Sequence, residues 1–284
     1  MNKPPVTLQI KSMYRDFSKK ESLIADFILK NPKNVSRMTI NEIASEVGLA
    51  GSTVFQFTRK LGYKGFRDFR NDLLTEEFDP SISVHENVSP DDDSLSIARK
   101  VFSSSTQSLQ DTLALLDKRD LDRACDVIVN AETLTFYGIG GSNIVAFDAY
   151  HKFLRSPIRC QYATDLHVQI MQASLMTERD CAIIITHTGL TKDTIKLARM
   201  VKQTGAKIVL ITSYPSSDLA KLADVTLVSV SEETGYRSES LASRIAQLAI
   251  IDTLFTMTMF KADNVAGTLH RIREAINSTK QEAI

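Results

Sequence analysis

Ala182-Ile-Ile-Ile-Thr-His-Thr-Gly-Leu-Thr-Lys-Asp-Thr194 is the stretch on which the reading of this chain turns. The apolar run Ala182 to Ile185, without polar alternation, describes a strand buried on both faces, as inside a parallel sheet. After Thr191, apolar residues at Ile195, Leu197, Ala198 and Val201 return at helical spacing. The residues between, Thr186 to Thr191, therefore join the carboxyl end of a strand to the amino end of a helix. Unpaired backbone N–H groups and the helix dipole favour an anion there. Three hydroxyls and a permissive glycine fit a phosphate cradle. The same threonines also suit a plainer role as helix caps.

A second loop of this kind lies upstream. Leu134 to Tyr137 reads as a strand, followed by Gly138-Ile-Gly-Gly-Ser142 and a helical pattern through Ile144, Val145, Phe147, Ala149 and Phe153. Two hydroxyl-bearing loops, each after a buried strand and before a helix, can converge on one ligand at the carboxyl edge of a sheet. Strands over 134–137, 158–162, 182–185, 207–212 and 225–230 alternate with helices. That alternation predicts an α/β fold, a five-stranded parallel sheet with helices on both faces. The glycines do not complete a dinucleotide fingerprint. Asn143 stands where the third glycine belongs, and Gln161-Tyr162 rather than an acidic residue ends the second strand. No Walker lysine motif is present, and of the five histidines only His187 falls in a candidate site. No cofactor and no metal is expected.

The amino-terminal part has a different pattern, all helical. Ser18-Lys-Lys-Glu21 and Thr39-Ile-Asn-Glu42 are capping boxes that open helices, and Asn31-Pro32 closes the first of these. Gly48 supplies a tight turn before a third helix from about Ser52 to Leu61. Two short helices joined at a glycine make a helix-turn-helix. On the third helix Val54, Phe57 and Leu61 face inward, while Ser52, Gln56 and Arg59 lie opposite and Thr53, Phe55 and Lys60 flank them. Polar side chains able to reach base edges, beside cations able to reach phosphates, suit a major-groove helix. An ordinary solvated face would carry similar residues, but would not expose Phe55.

Composition is compatible with both parts. Hydrophobic residues make up 43% and charged residues 24%, ordinary values for a globular protein. Formal net charge is zero, yet residues 1–77 carry 13 Lys/Arg against 9 Asp/Glu, so the amino-terminal part is mildly basic. Glu77 to Asp93, with Asp79-Pro80, Ser89-Pro90 and three consecutive aspartates, reads as a solvated connector. The expected domains are therefore 1–77, a linker at 78–93, and 94–284. Cys125, Cys160 and Cys181 have neither metal spacing nor an even count, which suits a reducing compartment. No signal peptide or membrane-spanning apolar run is read, so a cytoplasmic location without membrane contact is expected.

On the two glycine- and hydroxyl-bearing loops, together with the amino-terminal helices and Leu61-Gly-Tyr-Lys-Gly-Phe-Arg-Asp-Phe69, the chain resembles the RpiR family of bacterial transcription regulators. The resemblance implies a helix-turn-helix followed by a SIS (sugar isomerase) fold that senses a phosphosugar. It makes Thr186, Thr188 and Thr191 the phosphate-loop hydroxyls and His187 and Gly189 the backbone donors. Ser142, after Gly140-Gly141, would hold the ligand from the first loop, with Arg237, Glu239 and Arg244 as further candidate contacts. Two departures stand out: Ala50 lies where the family has a hydroxyl N-cap, and Gln56 where it often has a basic residue. Glutamine favours adenine. An isomerase of this fold needs a carboxylate base, and Arg237 falls near the base position, although Glu239 is close by. The expectation is a regulator, not an enzyme, acting as a homodimer or higher homo-oligomer on double-stranded DNA with an inverted-repeat operator. A phosphosugar isomerase whose amino-terminal helices serve oligomerisation is the alternative. The apolar helix around Ile245–Phe260 is the expected dimer seam.

Overall fold

The computed structural model describes residues 4–75, 92–230 and 239–279. They fall into two compact units, Met1–Ser103 and Ser104–Ile284.

The first unit contains α1 (Val6–Ser12), a 3-10 turn at Tyr14–Asp16, α2 (Lys19–Lys30), α3 (Pro32–Val35), α4 (Ile40–Glu46), α5 (Gly51–Lys60) and α6 (Phe66–Thr75). Both expected capping boxes form. The Glu21 carboxylate accepts the Ser18 N–H at 2.7 Å and the Glu42 carboxylate the Thr39 N–H at 2.6 Å, with the reciprocal hydroxyl bonds at 3.4 and 3.3 Å. Pro32 ends α2 and also opens α3, where its missing N–H costs nothing. Gly48, at φ 66°, makes the turn between α4 and α5, and the Leu49 N–H donates to the Ala44 carbonyl at 2.8 Å. Ile24, Ile28, Ile43, Val54, Phe57 and Leu61 bury together, joined by Val6 and Ile10 of α1 and Phe69 and Leu73 of α6. The contributions of α1, α3 and α6 were not foreseen.

After α7 (Ser94–Leu115) and α8 (Lys118–Val129), helices and strands alternate: β1 (Thr133–Tyr137), α9 (Gly141–Phe153), β2 (Arg159–Tyr162), α10 (Leu166–Leu175), β3 (Cys181–Ile185), α11 (Lys192–Gln203), β4 (Lys207–Thr212) and β5 (Val225–Val228). Then α12 (Glu239–Lys261) and α13 (Val265–Asn277) follow. The strands form the expected five-stranded parallel sheet, in the order β2-β1-β3-β4-β5. Every residue of β3, the central strand, is buried. Alternation along the strands sorts side chains into two cores. Leu134, Phe136, Ile183, Ile185, Val209 and Ile211 pack with α8, α9 and α12, and Tyr137, Ala182, Ile184, Ile208 and Leu210 with α10 and α11.

Strand order makes β1 and β3 neighbours whose following helices leave to opposite faces. The carboxyl edge between them is thereby a topological switch point, where the two loops part to form a crevice. The apolar stretch of α12 has an internal explanation: Ala246, Gln247, Ile250, Ile251, Leu254 and Thr258 are buried, and α12 packs along α8 and α9. That helix supplies core within its own chain, with Ile245 and Phe260 exposed. Among the described residues no single helix is long and apolar enough to cross a membrane.

Candidate ligand crevice and nucleic-acid face

Both loops flank the switch point, and each depends on glycine. A Cβ on Gly138 would lie 2.5 Å from the Ser142 carbonyl oxygen, so only glycine lets the first turn of α9 close over the end of β1. Gly140 holds the N-cap position with φ 60°, followed by Gly141 and Ser142 in the opening turn. Gln169 braces this loop from α10, its amide Nε2 donating to the carbonyls of Gly138 at 3.1 Å and Ala163 at 2.9 Å.

In the second loop the Thr186 N–H extends the sheet ladder to the Ile211 carbonyl at 3.0 Å, so that donor is already used. The Thr186 hydroxyl accepts the Gly189 N–H at 3.3 Å, and the Thr188 hydroxyl accepts the Leu190 N–H at 3.2 Å. A hydroxyl that accepts an amide N–H keeps its own hydrogen to donate, so both side chains can still serve an anion. Thr191 occupies the N-cap position of α11, but its side chain makes no capping hydrogen bond. The plain capping role therefore does not account for it. Gly189, at φ 66°, sits so tightly that a Cβ would approach the Ser217 Oγ to 2.5 Å.

His187 is buried and bonded into the sheet end. Its Nδ1 lies 3.0 Å from the Ser213 Oγ, and its carbonyl accepts from the Ser213 N–H at 3.0 Å and the Thr212 hydroxyl at 3.1 Å. Ser213, Ser217 and Ser229, brought from the ends of β4 and β5, back the loop and were not read from the sequence. The only signal is the hydroxyl-rich run Thr212-Ser213-Tyr214-Pro215-Ser216-Ser217 after a strand. Arg244 lies half-buried on α12. Arg237 lies outside the described residues, and of Glu239 only the helical backbone is described. A pocket of about 430 Å³ is lined by Lys192, Ile195, Lys196, Arg199, Met200 and Gln203 of α11.

In the first unit, α5 presents Ser52, Gln56, Arg59 and Lys60 outward, with Thr53 partly covered and Phe55 39% exposed beside Gly65. Ala50 stands at the N-cap without a side-chain bond, as its chemistry requires. Two cations are engaged within the chain. Arg59 donates to the carbonyls of Tyr63 and Lys64 at 3.4 and 3.2 Å, closing the turn after α5. The Lys60 ammonium donates to the Asp16 carbonyl at 2.6 Å and pairs with Glu21 at 3.0 Å, beside the Phe17 ring. In the free chain the ammonium is thus held by the Glu21 carboxylate of α2 and the Asp16 carbonyl of the preceding 3-10 turn. Burial works to raise the Glu21 carboxyl, but hydrogen bonds from the Ser18 backbone and Lys60 outweigh it and hold the group below the ordinary glutamate range.

A helix-turn-helix unit joined to a parallel α/β unit with a loop crevice at its switch point defines a class of ligand-linked DNA-binding regulators. Residues 5–79 match the helix-turn-helix domain of the rpiR family and residues 127–257 the SIS domain. The chain belongs to the rpiR family of HTH-type transcriptional regulators. An uncharacterised HTH-type transcriptional regulator of Thermotoga maritima is 33% identical over 278 residues, 97% of this chain and 99% of the relative. The HTH-type transcriptional regulator HexR of Escherichia coli is 31% identical over 274 residues, 96% of this chain and 94% of the relative. Among solved structures, the NanR protein of Vibrio vulnificus, complexed with ManNAc-6P, is 26% identical with a TM-score of 0.61, covering 98% of this chain and 100% of that one. Both curated relatives are named HTH-type transcriptional regulators, and the chain's function is transcriptional regulation.

Proposed function

We propose that the crevice between residues 138–142 and 186–191 binds a phosphosugar and that its occupancy changes the affinity of α5 for an operator. The observation that carries this reading is Thr191. Its hydroxyl sits at the amino end of a twelve-residue helix and makes no capping bond, beside two further threonines whose hydroxyl hydrogens can point to an anion. The phosphate would rest on Thr186, Thr188, Thr191 and the start of α11, where the dipole is positive. Gly140, Gly141 and Ser142 would close over the sugar from α9, with Arg244, and from outside the described residues Arg237, as candidate charge partners. That NanR was solved with ManNAc-6P supports a sugar phosphate as the ligand class.

On the DNA side, Ser52, Thr53, Phe55 and Gln56 would meet base edges, with Arg59 steadying the turn behind them. One such helix reads a short half-site, so two chains on an inverted repeat about one helical turn apart fit the reading. The protein acts in the cytoplasm, where its operator and sugar phosphates coexist. The test is calorimetric titration of the full chain with ManNAc-6P, glucose 6-phosphate and other sugar phosphates, followed by titration of Thr191→Val. Saturable binding weakened in the variant is expected. Equal binding by both proteins would refute the cradle.

A further inference from the structure

The loop assigned to the ligand is joined by hydrogen bonds to the helix that leads back to the reading head. His187, in that loop, is bonded through Nδ1 and its carbonyl to Ser213. The Ser213 Oγ lies 3.2 Å from the Ser229 Oγ, beyond β5, and the Ser229 N–H donates to the Thr212 carbonyl at 2.9 Å. The next residue, Val230, donates its N–H to the Thr112 hydroxyl on α7 at 2.9 Å. All of these groups are buried. A buried amide needs its partner, so the end of β5 and the position of α7 are set together.

The seating of α7 is unusual. Its buried positions, Ser104, Ser108 and Thr112, are hydroxyl residues four apart on one face, while Leu95, Phe102, Leu109 and Leu113 are exposed. The Ser108 hydroxyl bonds back to the Ser104 carbonyl within the helix, while Thr112, through Val230, ties α7 to the sheet. An element with few buried apolar contacts can change position at low cost.

We infer that the hydrogen-bonded series His187–Ser213–Ser229, continued by the Val230 amide and Thr112, positions α7 according to the state of the ligand loop. This inference rests on the phosphosugar reading for what fills the loop. Filling the cradle re-forms the bonds of residues 186–191, moves the His187 carbonyl and ring, and through Ser213 and Ser229 shifts the end of β5 that holds α7. Ser213, Ser229, Val230 and Thr112 position α7 and touch neither ligand nor DNA, while His187 belongs to the ligand loop itself.

Two arms test it in the full chain. Without ligand, amide hydrogen exchange is followed in peptides spanning 104–115. Ser213→Ala should speed exchange there about fivefold or more, because a distant support is lost. Ser174→Ala removes an exposed hydroxyl bonded to the Met171 carbonyl of its own helix, and should leave exchange unchanged. No difference between the two variants overturns the inference, whatever the ligand proves to be. With ManNAc-6P and glucose 6-phosphate as probes, Thr112→Val should keep ligand and ligand-free operator affinity within about threefold, while the ligand-induced change in operator affinity falls at least about fivefold. A full response in Thr112→Val overturns the inference. A wild-type protein that ignores every sugar phosphate, with the exchange effect intact, counts against the phosphosugar reading and for the positioning series.

Discussion

Thr191 and Thr188 have different duties, and substitution should separate them. Thr191→Val removes a hydroxyl that caps nothing. It should cost roughly 1.5–3 kcal/mol of ligand affinity, as for a charge-assisted bond, with the melting temperature unchanged. Thr188→Val also removes the acceptor for the Leu190 N–H and should show a lower melting temperature besides. Calorimetry and thermal melts on the two variants make the comparison. On α5, Gln56→Ala should lose about 1–3 kcal/mol of discrimination at one or two base pairs. Lys60→Ala should instead cost up to about 1 kcal/mol of stability, as for a partly exposed ion pair, and leave the salt dependence of operator binding intact. A salt slope flattened by about one unit in Lys60→Ala would show that the ammonium leaves Glu21 for a phosphate.

At the scale of elements, the two capping boxes give the first unit an acid sensitivity. The Glu21 and Glu42 carboxyls are both held below the ordinary glutamate range, Glu42 chiefly by the Thr39 backbone N–H. Their contribution is therefore present above the unfolded-state value and is lost as pH falls through the lower folded-state value. Melts of the full chain between pH 6 and pH 3 should show a loss of stability below the ordinary glutamate range, reduced in the Glu21→Gln/Glu42→Gln double variant. The elements legible in the sequence were those with local causes: capped helices, the all-apolar β3, and the glycine turns at 48 and 138–141. α1, α3 and α6 were missed because their reason is the core they complete through Val6, Ile10, Val35 and Phe69. Strand order was illegible because nothing within a strand says which neighbour it pairs with. For the same reason Ser213, Ser217 and Ser229 were invisible as parts of the site, since topology alone carries them to Gly189 and His187.

For the whole molecule, the division between units falls inside α7, between Ser103 and Ser104, although the connector read from composition ends at Asp93. A fragment of residues 94–284 keeps α7 intact and should fold cooperatively and bind sugar phosphate. A fragment starting at 104 severs that helix and should bind with an altered Thr112–Val230 contact and faster exchange in what remains of α7. Circular dichroism and calorimetry on the two fragments decide the boundary. An unfolded 94–284 fragment would place it elsewhere. Linkage between crevice and reading head need not be large: a hundredfold change in operator affinity corresponds to about 2.7 kcal/mol of differential binding. The most direct measurement is operator affinity of the full chain on its own upstream DNA, with and without sugar phosphate, for wild type and for the Thr188→Val/Thr191→Val double variant. Wild type should change its affinity on adding ligand, and the double variant should bind the same DNA within a factor of a few and ignore the ligand. A double variant that responds at the wild-type ligand concentration would contradict the account.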